Sequence, residues 1–211
     1  MKVVIVNGGK AYHDMFVGRG YEVVVDLSEA DLVCFTGGHD VNPGLYHQMP
    51  HPATHFWRRR DDFEMTVFRK CLELGKPMVG ICRGGQFLNV MNKGSMYQDV
   101  NNHCGNHVAA TPDMGTIITV SSTHHQMMIP AFNGVVRLVA DMATSKQYCN
   151  MIGTGLTHVY EDEVGEPFTD TEAVFYPNTK CYCFQPHPEF DGVEECRDFF
   201  FKEIEELLGV K

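Results

Sequence analysis

No apolar stretch in this sequence approaches the ~20 residues needed to cross a bilayer, so no membrane partner is expected. Positive charge is sparse: the formal net charge over 211 residues is −10, and no basic run exceeds Arg58-Arg59-Arg60. No nucleic-acid partner is expected either, because phosphate binding needs a net positive face. Internal repeats, low-complexity segments and C-x-x-C pairs are all missing. Met1–Val6 reads as a short strand, too brief for a signal peptide, and the expected compartment is cytoplasmic. The eight cysteines then read as reduced thiols, seven of them structural, rather than as a disulfide framework.

The chain does contain short, near-continuous apolar runs at Lys2–Asn7, Tyr21–Asp26 and Asp31–Thr36. Such runs are the pattern of strands buried on both faces of a parallel sheet. Arg58–Leu74 has helical spacing, with Phe63, Val67 and Cys71 on one stripe beside Phe68 and Leu72, and Gly75 and Pro77 to end it. Later strands are expected at Thr116–Ser121, Val135–Ala140, Thr171–Tyr176 and Lys180–Gln185, and a closing helix from about Gly192 to Leu208. Cys181 and Cys183, two apart on a strand, should point to the same face. The fold class is α/β: a mixed, mainly parallel sheet covered by helices, with active residues at the carboxyl ends of strands.

The richest segment is Gly80-Ile81-Cys82-Arg83-Gly84-Gly85-Gln86, between an apolar strand and a helical run. Glycines there permit a sharp, strained turn that displays a nucleophile, and the helix that follows directs its N–H groups at the sulfur. Both favour the reactive thiolate. Near the other end stands Gln185-Pro186-His187-Pro188-Glu189-Phe190. In an extended segment His187 and Glu189 project to the same side, so the carboxylate can orient the imidazole. A cysteine nucleophile needs such a base, and the base needs such a partner.

Taken together, G-x-C-x-G-x-Q and H-P-E resemble the class I glutamine amidotransferase-like superfamily. Phe35-Thr36-Gly37-Gly38 with Asp40, Pro43 and Tyr46, and Arg60-Asp61 with Phe63-Glu64, resemble its γ-glutamyl hydrolase branch, typified by γ-glutamyl-γ-aminobutyrate hydrolases. Gly94–Asp99 is similar to its glycine-rich turn, with Lys93 in place of the first glycine. Val120–Gln126 is similar to its V-N-S-x-H-x-Q segment, with Ser121 in place of Asn. Glu172-Ala173 resembles the E-A before the last strand. The resemblance implies one flavodoxin-like domain over residues 1–211 that attacks a γ-glutamyl amide. It casts Cys82 as nucleophile, His187 as base and Glu189 as orienter. Backbone N–H groups of Gly38 and Arg83 would form the oxyanion hole, and Gln86, Ser122, Thr123 and His124 would hold the glutamyl group. No cofactor and no metal are implied.

Plainer features frame that reading. His47, His51 and His55 recur every four residues, but Pro50 and Pro52 forbid the helix that would gather them on a metal. His103-Cys104-x-x-His107 has metal-like residues at no established spacing. Glu161, Asp162, Glu163 and Glu166 read as a solvated hairpin. The long Gly37–Trp57 loop should shape the leaving-group side of the site, since loops of this length are usually functional. The small-molecule substrate is a γ-glutamyl compound. The alternative is a glutaminase subunit that passes ammonia to a separate synthetase partner; a non-enzymatic module would instead lack a triad member.

Overall fold

The computed structural model describes residues 1–140, 147–152, 156–161 and 170–210. The chain runs through β1 (Lys2–Val6), α1 (Lys10–Gly18), β2 (Glu22–Val24) and β3 (Leu32–Phe35) to α2 (Arg58–Glu73). Then come β4 (Met78–Ile81), α3 (Arg83–Met91), β5 (Ser95–Tyr97), β6 (Asp99–Val100), β7 (His107–Ala110), β8 (Ile117–Val120) and β9 (Met127–Ile129). It ends with β10 (Val135–Ala140), β11 (Gln147–Ile152), β12 (Leu156–Glu161), β13 (Thr171–Tyr176), β14 (Cys181–Phe184) and α4 (Glu194–Leu208). The acidic residues Asp162, Glu163 and Glu166, expected to cap a hairpin, lie outside the described residues.

Nine strands form the main sheet in the order β2-β1-β3-β4-β14-β13-β10-β7-β8. The first five are parallel, with β14 aligned on β4 through Cys183↔Gly80 and Phe184↔Ile81. From β13 onward every pairing is antiparallel. Such a mixed sheet covered by helices is the flavodoxin-like α/β arrangement expected from the sequence pattern. β4 and β14 lie side by side, so the turn carrying Cys82 and the turn carrying His187 leave the same edge of the sheet.

Strand alternation sorts the core into two layers. Tyr182 and Phe184 pack with Phe16 of α1 and Phe199, Phe200 and Ile204 of α4. Cys181 and Cys183 face the other way, against Phe68 and Cys71 of α2 and Phe87 and Leu88 of α3. The two cysteines therefore share a face, and each of these large apolar side chains contributes about 1.5–3 kcal/mol by its burial.

Two features differ from the sequence expectation. Helix α1 has too few apolar positions to stand out; Met15 and Phe16 are its buried anchors. In α2, Phe63 and Leu72 are exposed, and Asp61 and Glu64 are buried alongside Val67, Phe68 and Cys71. Apolar spacing misplaced that face because an internal arginine, Arg83, draws both carboxylates inward. Lys93 adopts φ +73°, which explains the glycine usual at that position.

Candidate active site

Cys82 occupies the single residue between β4 and α3, with φ +51° and ψ −116°. For a residue with a Cβ this conformation is strained by on the order of 1–3 kcal/mol, so its surroundings must impose it. They do so by close packing. A Cβ at Gly80 would lie 2.3 Å from the Gly84 carbonyl carbon, and one at Gly84 would lie 2.2 Å from the Phe35 oxygen. Helix α3 thus starts pressed against β3 and β4, and the Cys82 N–H is held by the Phe184 carbonyl at 2.7 Å.

His187 follows β14, but in a turn rather than the extended segment expected. The strand ends at Phe184, and Ser121 fastens the backbone instead. Its Oγ accepts from the His187 N–H at 2.8 Å and donates to the His187 carbonyl at 3.0 Å. The turn still brings His187 Nδ1 to 2.7 Å from Glu189 Oε1, and Phe190 stacks on the imidazole at 4.4 Å and 6°. Burial opposes charge on this ring. Hydrogen bonds to Cys82 and Glu189, and their negative charge, outweigh it and raise the His187 pKa to about 10. The site is therefore built to hold an imidazolium.

Gly37 roofs the pair. A Cβ there would meet the Tyr12 hydroxyl at 2.9 Å, His187 Cε1 at 3.2 Å and Cys82 Cβ at 3.7 Å. The Gly37 N–H donates to the Tyr12 hydroxyl at 3.1 Å. Burial and the neighbouring Glu189 carboxylate push the Tyr12 pKa upward, which keeps the phenol neutral. Tyr12 links the orienting carboxylate to the facing loop, and nothing in the sequence pattern marked it.

Gly38 has φ +139°, and a Cβ on it would meet Arg60 Nη1 at 2.1 Å. Arg60 donates to the Thr36 carbonyl at 2.8 Å, the Gly37 carbonyl at 2.9 Å and Glu64 Oε1 at 2.8 Å. Asn7 donates to the same Glu64 oxygen at 2.9 Å. The buried Arg83 guanidinium pairs with both Asp61 and Glu64. Burial and the nearby Arg60 charge lower its pKa to about 10, so it stays cationic at neutral pH. One buried network thus braces the Gly37-Gly38 loop and the first residue of α3. These contacts make the R-D-x-F-E signature structural, and its exposed Phe63 stands outside the network.

The remaining expected residues sit apart from the sulfur. Gln86 is buried, donating to the Gln126 carbonyl at 3.2 Å and Gln185 Oε1 at 3.1 Å. Ser122 donates to the His103 carbonyl at 2.9 Å. His124 is buried with Nδ1 2.8 Å from the Gln126 carbonyl, and Thr123 is exposed. The Gly37–Trp57 loop is well fastened. Gln98 accepts from the His51 N–H and the Thr54 hydroxyl and donates to Gln48 and Met49, all within 3.0 Å. Beyond Gly38 it borders a cavity of about 370 Å³ lined by Asn7, His39, Trp57, Arg59, Arg60 and Phe63.

This arrangement is that of a glutamine amidotransferase-like α/β protein. A Thermotoga maritima glutamine amidotransferase aligns over 100% of this chain and 86% of its own, at 13% identity and TM-score 0.60. A Thermoplasma acidophilum protein assigned to GMP synthase, as one of its two kinds of chain, aligns over 99% and 94%, at 17% identity and TM-score 0.64. Residues 19–141 match the Peptidase C26 family, and the chain belongs to it. A provisionally named glutamine amidotransferase of Mycobacterium tuberculosis is 33% identical over 136 residues, 55% of this chain and 44% of that protein. The chain spans less than half the length of that relative. Among the described residues no helix is long and apolar enough to cross a membrane.

Proposed function

We propose that the protein is a cysteine hydrolase of γ-glutamyl amides, with Cys82, His187 and Glu189 as its triad. The observation that carries this reading is the compact contact around Gly37, where the Cys82 and His187 side chains meet beneath a loop that has no room for another. Cys82 Sγ attacks the amide carbonyl while His187 supplies a proton to the departing nitrogen, giving a γ-glutamyl thioester and free ammonia or amine. Water then attacks the thioester, His187 takes its proton, and glutamate leaves with the thiol restored. Glu189 holds the tautomer and stabilises the imidazolium. The Gly38 and Arg83 N–H groups receive the tetrahedral oxyanion, each worth roughly 3 kcal/mol in the transition state. Gln86 and the Ser122-Thr123-His124 segment hold the glutamyl group, and the Trp57 cavity receives the leaving amine.

A panel of γ-glutamyl compounds, assayed for both glutamate and amine, tests this. Turnover by the chain alone is expected; hydrolysis of glutamine that appears only when a synthetase is added would replace it with the glutaminase-subunit reading. Equal turnover by a Cys82→Ala variant would overturn the thioester.

A further inference from the structure

Beyond Ser121 and Ser122 lies a second histidine–carboxylate cluster that the triad does not use. His103 precedes β7, His107 opens it, and Asp170 and Glu172 stand at the start of β13. His103 Nε2 is 3.0 Å from Asp170 Oδ2. His103 Nδ1 is 3.6 Å, and His107 Nε2 3.0 Å, from one and the same oxygen, Glu172 Oε1. One atom from each of His103, His107 and Glu172 falls within 4.8 Å of the others. Among the described residues, Glu172 Oε2 is buried without a hydrogen-bond partner.

Two imidazole nitrogens converging on one carboxylate oxygen is poor hydrogen-bond geometry, because 3.6 Å is too long for such a bond. It is good coordination geometry. Ligands held ~2.0–2.1 Å from a tetrahedral ion lie about 3.3 Å apart, and the two separations straddle that edge. Asp170 sits on the far nitrogen of His103, where a carboxylate orients a metal-binding imidazole and turns Nδ1 inward. Ser122 Oγ also stands 3.3 Å from Nδ1, but its proton goes to the His103 carbonyl, which leaves the Nδ1 lone pair unspent. Two imidazoles with one carboxylate favour zinc-class ions over magnesium or calcium. His107 alone of the three has an exposed side-chain fraction, 10%, which opens a path from the surface.

We propose that His103 Nδ1, His107 Nε2 and the Glu172 carboxylate form a binding site for a zinc-class divalent cation. The ion clamps the segment before β7 to β13. Because Ser122 donates to the His103 carbonyl and the adjacent Ser121 holds His187, the clamp also stiffens the support of the catalytic turn.

The test titrates the chelator-treated full chain with zinc chloride alone, by calorimetry and metal analysis, and repeats it with cobalt. One ion per chain is expected, with the melting temperature raised on binding. His107→Ala and Glu172→Gln should each weaken binding by tenfold or more. A rival grouping, His51 with Asp99 and Cys149, serves as the internal control. His51→Ala should leave affinity unchanged, and the cobalt spectrum should show nitrogen and oxygen ligands without a thiolate charge-transfer band. No binding, loss of binding only in His51→Ala, or a thiolate band in the unaltered chain would overturn the proposal. The cobalt spectrum decides even if the His107 and Glu172 variants do not fold.

Discussion

Two histidine–carboxylate groups stand on either side of Ser121-Ser122, and they differ in what surrounds the same pair of functional groups. At His187 one imidazole faces one carboxylate at 2.7 Å, with a thiol on its other side and Phe190 stacked on its face. That ring has a single proton route, from sulfur toward the leaving nitrogen. At His103 and His107 two imidazoles share two carboxylates, with no nucleophile in the group and Glu172 wholly buried. The first group is arranged to move a proton and the second to hold a cation or bind two chain segments. Identical residue types take their roles from the third partner.

That contrast can be broken first at the sulfur. Cys82→Ala should lower turnover by at least about 10⁴-fold, leaving the melting temperature and the zinc response of the distant cluster unchanged. Turnover within tenfold of the parent would remove the distinction between the two groups. Glu189→Gln should come next, with kcat down by roughly 10²–10⁴-fold. It also carries a pH signature. The His187 pKa, raised from 6.5 to about 10, means that the stability it contributes is fully present below about pH 6.5 and is lost as pH rises through about 10. Activity that depends on the imidazolium should fall along the same alkaline limb. Removing the Glu189 charge should move that limb to lower pH, and a pH–rate profile that stays in place would show that Glu189 does not tune the base.

Glu172→Ala should leave the alkaline limb where it is and cost on the order of 3–5 kcal/mol in denaturant unfolding, since buried partners are left uncompensated. A change confined to the pH–rate profile would contradict the division drawn above. Ser121→Ala is the smallest expected effect and touches both groups. It leaves the His187 N–H without its Ser121 acceptor, for about 1–3 kcal/mol of stability. Because a slight misplacement of the base is costly to rate, turnover should fall further than the stability loss alone implies. Equal turnover in this variant would mean that the prolines on either side of His187 suffice to hold the turn.

Legibility followed sequence distance. Cys82 with its glycines, and His187 with Glu189, are local patterns, and the structure brings them together because β4 and β14 are neighbours in register. Cys181 and Cys183 were readable from strand period alone. The inward face of α2 was not, because apolar spacing cannot foresee that Asp61 and Glu64 are drawn in by Arg83, about 20 residues on. Tyr12 was invisible for a related reason: its partners, Gly37 and Glu189, come from elements that only the sheet order sets beside α1. The departure at Ser121 acquires a meaning only once its hydroxyl is seen to clasp both backbone groups of His187.

The linear order of residues therefore settled the α/β pattern, the displayed thiol and the pairing of His187 with Glu189, because each depends on periodicity or on neighbours a few bonds apart. Folding settled which histidines share which carboxylates. His103 meets Asp170 from 67 positions away and His107 meets Glu172 from 65. No local rule reaches across that span; the antiparallel half of the sheet does, by setting strands distant in sequence within a few ångströms.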